Sequence, residues 1–274
     1  MSIENFIPTV WSEVLHKELS KKYVAVANCN RDYEGEIKEF GSRVKICGLE
    51  PVSVFQYVKN QDMPAPEILT DTATELVIDR ATAFNFIVDD VDRVQANPGL
   101  MNLAMRSAAD ALANDADSYV FSLYDSIPTV VTETAASYQN ILDTILDARE
   151  MLYSGNITDA SEIVLEVSPI IASMILKAKM TYGGSEVNQE AMSNGYIGSV
   201  FGCKVFVSKN IHTDMSLQKC IMRTKRAITF ADQFTEVCAY RPENRFADAV
   251  KGLHLYGAKI VHPEEIVALH LVFD

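Results

Sequence analysis

The sequence predicts an α+β protein, and three features of the chain lead to this prediction. Apolar residues alternate with polar ones over much of the stretch from Asp32 to Asp92, which is typical of extended strands. A single long helix pattern follows, and after Pro128 helix and strand patterns alternate. With 274 residues, 48% of them hydrophobic and 22% charged, the chain is long enough for one large or two modest domains with a substantial core.

The charge balance argues against broad nucleic-acid binding. The chain has 37 Asp and Glu against 24 Lys and Arg, a net charge of −13, whereas affinity for nucleic acid rests on cationic side chains. The N-terminus lacks the basic start and apolar core of a secretory signal, so we expect neither secretion nor membrane insertion. The five cysteines are odd in number, widely spaced and without a C-x-x-C motif, which predicts reduced, mostly buried thiols in a cytosolic protein.

The first 30 residues predict an arm containing a short amphipathic helix. Its apolar residues recur at helical spacing: Ile7, Trp11, Val14, Leu15 and Leu19. Two interpretations stay open, since this face can pack on the chain's own core or on a neighbouring subunit.

Two extended runs, "EIKEFGSRVKI" and "TELVIDRATAFNFIVDD", predict a long β-hairpin. In the second run an apolar set is expected to share one face: Leu76, Ile78, Phe84, Phe86 and Val88. A Pro-broken segment with Pro64 and Pro66 lies between the runs. Because a two-stranded ribbon is marginally stable alone in water, we expect it to lie on another surface, most naturally a second copy of the chain.

A long helix is predicted from Asn97, as its cap, and Pro98, in its first turn, through Tyr124. We expect a small-residue face to approach a sheet, and its members are Ala104, Ala108 and Ala111.

Three aspartates on this helix, Asp110, Asp115 and Asp117, raise the alternative of a metal site. They do not share one face at i, i+4 spacing, so a solvated or intersubunit face is the favoured interpretation.

The chain beyond Pro128 predicts a crossover unit of helix, strand, helix and strand. The helix in "SYQNILDTILDAREMLYSGN" should end near Gly155, and "EIVLEV" should be a buried strand. Ser168 and Pro169 open the next helix, and a strand follows at Cys203–Val207. The last third predicts strands on either side of a turn at Pro263.

The stretch "GYIGSVFGCKVFV" contains three glycines, Gly195, Gly198 and Gly202. A phosphate-binding loop needs a strand before the glycines and a helix after them, but here a strand follows and no Lys-Ser/Thr pair is present. The pattern therefore favours a chain reversal that leads into a strand. A nucleotide-binding α/β enzyme remains as a remote alternative.

No catalytic or metal-binding motif is present in the sequence. None of the histidines lies in H-E-x-x-H, and G-x-S-x-G is absent. The cluster of Asp89, Asp90, Asp92 and Arg93 could in principle hold a hydrolytic carboxylate pair, but turn and cap chemistry explains it better. We therefore predict a protein that is not an enzyme and has no cofactor or metal.

Two segments, "GYIGSVFGCKVFVSKNI" and "AITFADQFTEVCAYRPENRFADAVKGLHLYGAKIVHPEEIV", resemble patterns in the major capsid proteins of tailed bacteriophages with the Hong Kong 97-type fold. The resemblance extends in order over nearly the whole chain and implies five parts. These are an N-terminal arm at 1–31, an extended β-loop with peripheral-domain strands at 32–92, a spine helix at 93–127, an axial α/β domain at 128–245, and C-terminal strands at 246–274 that return to the peripheral domain.

This resemblance implies a coat protein that forms pentamers and hexamers of an icosahedral shell around double-stranded DNA. The protein would be made and assembled in the host cytoplasm and would reside in the virion, with a portal and a separate scaffolding protein as partners and no sequence-specific DNA binding. An encapsulin-like protein compartment is the alternative. Nine residues are candidates for the assembly interface: Trp11, Leu15, Leu19, Phe55, Tyr57, Lys59, Gly195, Gly198 and Gly202.

Overall fold

The structure is a computed structural model. It describes residues 15, 17–33, 40–49, 54–57, 59, 62, 65, 71–89, 100–155, 162–182, 196–244 and 246–273. The predictions made for Trp11, Pro64, Pro66, Asp90, Asp92, Arg93, Asn97, Pro98 and Gly195 lie outside these residues.

Three α-helices, twelve strands and a helical segment at 17–22 make up the regular structure of the described residues. The helices are α1 (Leu100–Ser122), α2 (Ile141–Ser154) and α3 (Pro169–Tyr182). The strands are β1 (Arg43–Leu49), β2 (Asp71–Val77), β3 (Arg80–Asp89), β4 (Val130–Glu133), β5 (Ile163–Val167), β6 (Tyr196–Val200), β7 (Cys203–Val207), β8 (Thr213–Asp214), β9 (Leu217–Thr224), β10 (Ile228–Tyr240), β11 (Ala247–Ile260) and β12 (Ile266–Val272). Short 3₁₀ turns lie at Val26–Asn28, Leu123–Ser126 and Pro263–Glu265.

The strands form three sheets. Strands β1 and β2 make an antiparallel ribbon with Arg43 opposite Val77 and Leu49 opposite Asp71. A three-stranded antiparallel sheet has the order β10-β11-β3. The third sheet is mixed, has the order β4-β12-β9-β5-β7-β6, and carries β8 beside β9. Its parallel pairs are β12 with β4 and β5 with β7.

The mixed sheet is covered on both faces, which separates two hydrophobic cores. On one face Leu165, Met222 and Leu269 pack under helices α2 and α3. On the other face Ile221 and Ile266 pack with helix α1 and the N-terminal segment. A strand buried on both faces reads as a continuous apolar run rather than an alternating one. This explains the unbroken burial of β5.

Helix α1 packs against the first core with a face one position away from the predicted alanine face. Ala111 is exposed, and Ala104 and Ala108 are only partly buried. The buried residues of the helix are instead Met105, Ala109, Leu112, Ala113, Ala116, Asp117, Val120 and Phe121. The prediction was wrong because the small residues occur all round this helix, so composition alone does not choose the buried stripe.

Local signals predicted the crossover unit correctly. Helix α2 ends at Ser154 with Gly155 after it. Helix α3 begins at Pro169, and the hydroxyl of Ser168 accepts a hydrogen bond from the Ile171 amide at 3.4 Å. Strands β5 and β7 lie where they were predicted and pair in parallel.

The predicted run through residues 74–90 is two strands in two sheets. Strand β2 pairs with β1, whereas β3 pairs with β11. Leu76 and Ile78 accordingly pack in a small third cluster, while Phe84 and Phe86 pack against the first core. The five predicted residues therefore do not share one face, because the chain changes sheet at residues 78–79.

The predicted boundary between the axial domain (128–245) and the returning C-terminal strands (246–274) does not separate the observed sheets, because two strands lie on the other side of it. Strand β10 belongs to the predicted axial part, yet it pairs with β11 of the C-terminal part. Strand β12 belongs to the predicted returning strands, yet it lies in the mixed sheet between β4 and β9. The apolar run from Ile266 explains this position, since a strand at the centre of a sheet is buried on both faces.

Among the described residues, no helix is long and apolar enough to cross a membrane.

Candidate assembly site

The loop tip, which we define as residues 54–57 and 59 between β1 and β2, exposes large apolar side chains. Val54 is 96% exposed, Phe55 50% and Tyr57 68%. Lys59 is exposed beside them. Contiguous exposed aromatic and aliphatic groups mark surfaces that bind a partner, so three of the predicted interface residues lie where a neighbouring molecule can reach them.

The root of the same ribbon is packed on its own chain. Val44, Ile46 and Leu76 are buried in a cluster with Ala231 of β10 and Leu255 of β11. Gly257 allows this approach, because a Cβ there would overlap the carbonyl oxygen of Val77. The root of the ribbon is therefore supported by its own subunit, whereas the described side chains of the tip are exposed.

The N-terminal helical segment is also packed on its own chain. Leu15 and Leu19 are buried in the first core beside residues of helix α1. Of the two interpretations of the arm, the described residues therefore fit packing on the chain's own core. An assembly role for Leu15 and Leu19 stays a prediction. Because both side chains are buried in their own subunit, they would contribute to assembly indirectly, by fixing the position of the arm.

Asp117 holds the arm root, which we define as residues 24–30. Its carboxylate accepts backbone N–H groups of Val24 at 2.9 Å and of Ala25 and Val26 at 3.0 Å each. The side chain is 2% exposed, so the expectation of a solvated or intersubunit face is wrong for this residue. Loss of hydration raises the pKa of Asp117 to about 6, although the three backbone donors lower it.

A buried ion pair holds the arm root from the other side. The Arg223 guanidinium of β9 donates to both carboxylate oxygens of Glu166 in β5, at 2.9 and 3.1 Å. It also donates to the carbonyl oxygens of Asn28 at 2.6 Å and Ala25 at 3.0 Å. Both charged side chains are 0% exposed. A charge that is buried must be paired and fully hydrogen-bonded to be tolerated, and this network meets that condition.

Sequence reasoning missed the ion pair, although one signal was available. Glu166 interrupts the otherwise apolar strand "IVLEV", and Arg223 directly follows the apolar run "CIM" in strand β9. Charged residues inside strands that are otherwise apolar indicate buried partners. Their pairing could not be inferred, because the two residues are 57 positions apart.

A second polar group lies beside the arm. Asp232 accepts hydrogen bonds from the Tyr23 hydroxyl at 3.0 Å and from Arg31 at 3.2 Å, and it contacts His254 at 3.0 Å. Burial opposes the charged carboxylate, but the hydrogen bond and charge of His254, with Arg31 and Tyr23, outweigh it and hold the pKa of Asp232 below its ordinary value. The arm is thus joined to strand β10 by charge-assisted contacts.

The glycine stretch forms a tight hairpin between β6 and β7. Val200 pairs with Cys203, and the two residues between them, Phe201 and Gly202, have φ of +48° and +81°. Two successive positive φ values are the signature of a type I′ turn, whose twist matches that of paired strands. Gly198 and Gly202 are therefore followed by strand β7 and not by a helix N-terminus, which removes the geometric basis of the nucleotide alternative at these two glycines.

Gly198 lies at an irregularity in the same hairpin. Between Tyr196 and Ser199 the pairing register with β7 shifts by one residue, and Gly198 has φ of +107°. A bulge with positive φ is the conformation that glycine adopts at least cost. Strand β6 was not predicted, because a glycine-containing bulge breaks the alternation that identifies a strand.

Two of the buried cysteines, Cys29 and Cys220, lie in surroundings that favour the protonated thiol. Burial raises the pKa of the Cys29 thiol to about 11 and that of the Cys220 thiol to about 12. Both are therefore protonated near neutral pH, whereas nucleophilic cysteine is a thiolate.

Comparison with known proteins gives matches among solved structures. No family model and no curated protein matches the chain. A chain of Mycobacterium phage Che8 is similar with a TM-score of 0.68 and 26% identity over 90% of both chains. The capsid of Ralstonia phage GP4 is similar with a TM-score of 0.68 and 10% identity, over 93% of this chain and 91% of that one. A virus-like particle from Pyrococcus furiosus gives a TM-score of 0.58 and 17% identity, over 96% and 99%.

These similarities define the class of fold. The chain has the fold of the Hong Kong 97-type capsid proteins along nearly its whole length, with a β1–β2 ribbon, a long helix and a mixed α/β part. The resemblance inferred from the sequence is thereby confirmed. The similarity to a Mycobacterium phage chain and a Ralstonia phage capsid directs the functional interpretation toward a phage coat protein.

Proposed function

We propose that this chain is the major capsid protein of a tailed phage, which self-assembles into the pentamers and hexamers of an icosahedral shell around double-stranded DNA. The observation that carries the proposal is the capsid fold over about nine-tenths of the chain. The exposed apolar loop tip supports it further, since Phe55 and Tyr57 are available to a neighbouring copy.

The role we propose is structural rather than enzymatic. Burial of apolar surface at repeated subunit contacts supplies the free energy of assembly, and no reaction is required of the chain. The net charge of −13 suits a shell that contains DNA without binding it tightly. A separate scaffolding protein and a portal are the further partners that we propose.

An encapsulin-like compartment is the second candidate. It is favoured by one observation, the similarity to the virus-like particle from Pyrococcus furiosus over 96% of this chain. Such a shell would enclose protein instead of DNA, so the two candidates differ in cargo and share the assembly.

Negative-stain electron microscopy of the purified chain, alone and with the candidate scaffolding protein, tests the proposed assembly. We expect closed shells, partial shells or sheets of capsomers. Uniform monomers or dimers under both conditions would overturn the proposal.

The cargo is tested on particles isolated from cells infected by the source phage or carrying its genome. DNA that resists added nuclease until the particle is opened supports the phage coat, whereas co-purified protein without DNA supports the compartment.

A further inference from the structure

The two edges of the mixed sheet carry opposite charge. The acidic side, which we define as strand β4 with helix α2, contains four carboxylates, Glu133, Asp143, Asp147 and Glu150, and one cation, Arg149, for a net charge of −3. The basic side, which we define as helix α3 with strands β6 and β7, contains Lys177, Lys179 and Lys204 and no carboxylate, for a net charge of +3. Strand β4 and strands β6 and β7 lie at opposite ends of the strand order, while helices α2 and α3 pack on each other. Arg149 of α2 lies close to Gly202 of the β6–β7 hairpin, and Lys177 of α3 lies over the ring of Tyr138 in the segment after β4. Assigning each of these two cations to the side that it contacts leaves the net charges at −3 and +3.

The acidic side has an open strand edge. Strand β4 pairs only with β12 within the described part of the chain, so the backbone groups on its outer edge face away from the sheet. A groove of about 600 Å³ runs along it, and Asp147 and Glu150 line this groove with the apolar Val130 and Met151. An edge strand with unpaired backbone groups is a template for association with another chain.

The basic side concentrates its charge at the β6–β7 hairpin. Lys179 donates to the carbonyl oxygen of Ser199 in β6 at 2.7 Å. Lys204 is the strand partner of Ser199 and is exposed. The apolar side chains of Met180 and Phe201 are exposed close by in sequence. This side therefore combines cations with exposed apolar groups, as the acidic side combines anions with them.

We propose that the acidic side of one copy binds the basic side of the next copy, head to tail, within each capsomer. This contact rests on the proposed shell function, and it would join neighbouring subunits in the pentameric and hexameric rings of the shell. A two-fold contact that joined identical sides would place −3 against −3 or +3 against +3, which like-charge repulsion disfavours. A head-to-tail contact joins opposite charges, and when its rotation closes it generates a ring.

Charge reversal tests the contact in three variants. Asp147→Lys with Glu150→Lys makes both sides positive, and Lys179→Glu with Lys204→Glu makes both sides negative. The third variant carries all four changes and restores opposite charges with the two sides exchanged. We expect each double variant to lower the fraction of chain in capsomers at least about tenfold, and we expect the fourfold variant to recover it. Sedimentation at low and high salt measures the fraction, because exposed ion pairs are screened by salt.

A mixture of the two double variants adds a geometric test. Every contact in a ring that alternates the two variants joins opposite charges, but alternation requires an even number of subunits. An equimolar mixture should therefore recover six-membered rings and fail to form five-membered ones, as seen by electron microscopy. Such recovery also shows that both variants are folded.

The matched control is Lys225→Glu with Arg226→Glu, which changes the net charge by the same −4 as the Lys179 and Lys204 reversal, in an exposed turn on neither side. It should assemble as the wild type does.

If the wild type forms shells and the double variants also do so at low salt, the proposed contact is wrong and the coat function stands. If the double variants fail and neither the mixture nor the fourfold variant recovers assembly, the partner side is wrong. A wild type that never assembles overturns both proposals.

Discussion

The arm root and the loop tip differ in how their groups are paired. The backbone groups of the arm root form hydrogen bonds inside the subunit, whereas the apolar side chains of the loop tip are exposed to solvent. The arm root places its backbone donors on Asp117 and its backbone acceptors on Arg223, all within one chain. The loop tip exposes Phe55 and Tyr57. The arm was left with two interpretations, packing on its own core or on a neighbouring subunit, whereas the loop was expected to lie on a neighbour. Of the two described segments, the tip is the one that leaves apolar surface for such a contact. The comparison teaches that a segment with its polar groups paired inside the subunit needs no neighbour, whereas exposed apolar side chains leave a surface that we propose a second copy covers.

The arm root also joins the two cores. Asp117 belongs to helix α1, which packs in the first core, whereas Glu166 and Arg223 belong to the mixed sheet that separates the cores. A buried polar network of this kind fixes geometry more than it adds stability, provided every group is paired. We infer that it sets the position of α1 relative to the mixed sheet.

The largest effect on the isolated subunit is expected from Arg223→Met. The change leaves Glu166 as an unpaired buried charge and removes donors from the carbonyls of Ala25 and Asn28. We expect the free energy of unfolding to fall by about 3–5 kcal/mol, as measured by chemical denaturation.

The control for this change is Arg43→Met. Arg43 pairs with Glu75 at 3.1 Å, but the two side chains are 68% and 41% exposed, so removal of Arg43 should leave stability nearly unchanged. Equal losses for the two variants would show that the burial of the Arg223 pair is unimportant.

The second effect is a pH dependence that Asp117 introduces. Its carboxyl binds a proton more tightly in the folded chain, with a pKa of about 6, than at its ordinary value of 3.8. The folded state therefore gains stability as the pH falls through this window and loses it as the pH rises through about 6. Relative to Asp117→Asn, the wild type should gain about 2 kcal/mol of unfolding free energy between pH 7 and pH 4.5.

Denaturation of both proteins at each pH measures the difference between them. Titration of other groups, including Asp232 with its lowered pKa, is common to the two proteins and cancels. A difference that stays constant from pH 7 to pH 4.5 would contradict a raised pKa at Asp117.

The sequence predicted the parts of the molecule whose signals are local. Helix α3 was placed by Ser168 and Pro169 at its start, and β5 by an apolar run. The Gly202 turn was understood as a chain reversal because the residues on either side excluded a helix. Each of these features is decided by neighbours within a few positions, where capping, periodicity and turn chemistry operate.

The parts that could not be predicted depend on distant residues. Asp117 meets Val24 across 93 positions, and Arg223 meets Ala25 across 198. The apolar run of strand β12 fits a strand that is buried on both faces, but it does not identify β4 and β9 as the strands beside it. The tip residues were predicted through the family resemblance, and their exposure is a property of the fold that periodicity does not show.

The smallest effect on the subunit, and the largest on assembly, is expected from Phe55→Ser with Tyr57→Ser. Both side chains are exposed in the single chain, so the free energy of unfolding should change by less than about 0.5 kcal/mol. Shell formation should be lost, because the change removes the apolar surface offered to the neighbour. Phe55→Leu with Tyr57→Phe is the matched control, since it keeps an apolar group at both positions and should still assemble. Normal shells from the serine variant, seen by electron microscopy, would show that the tip does not contact a neighbour. The difference between the arm root and the loop tip would then be one of burial alone, with no consequence for assembly.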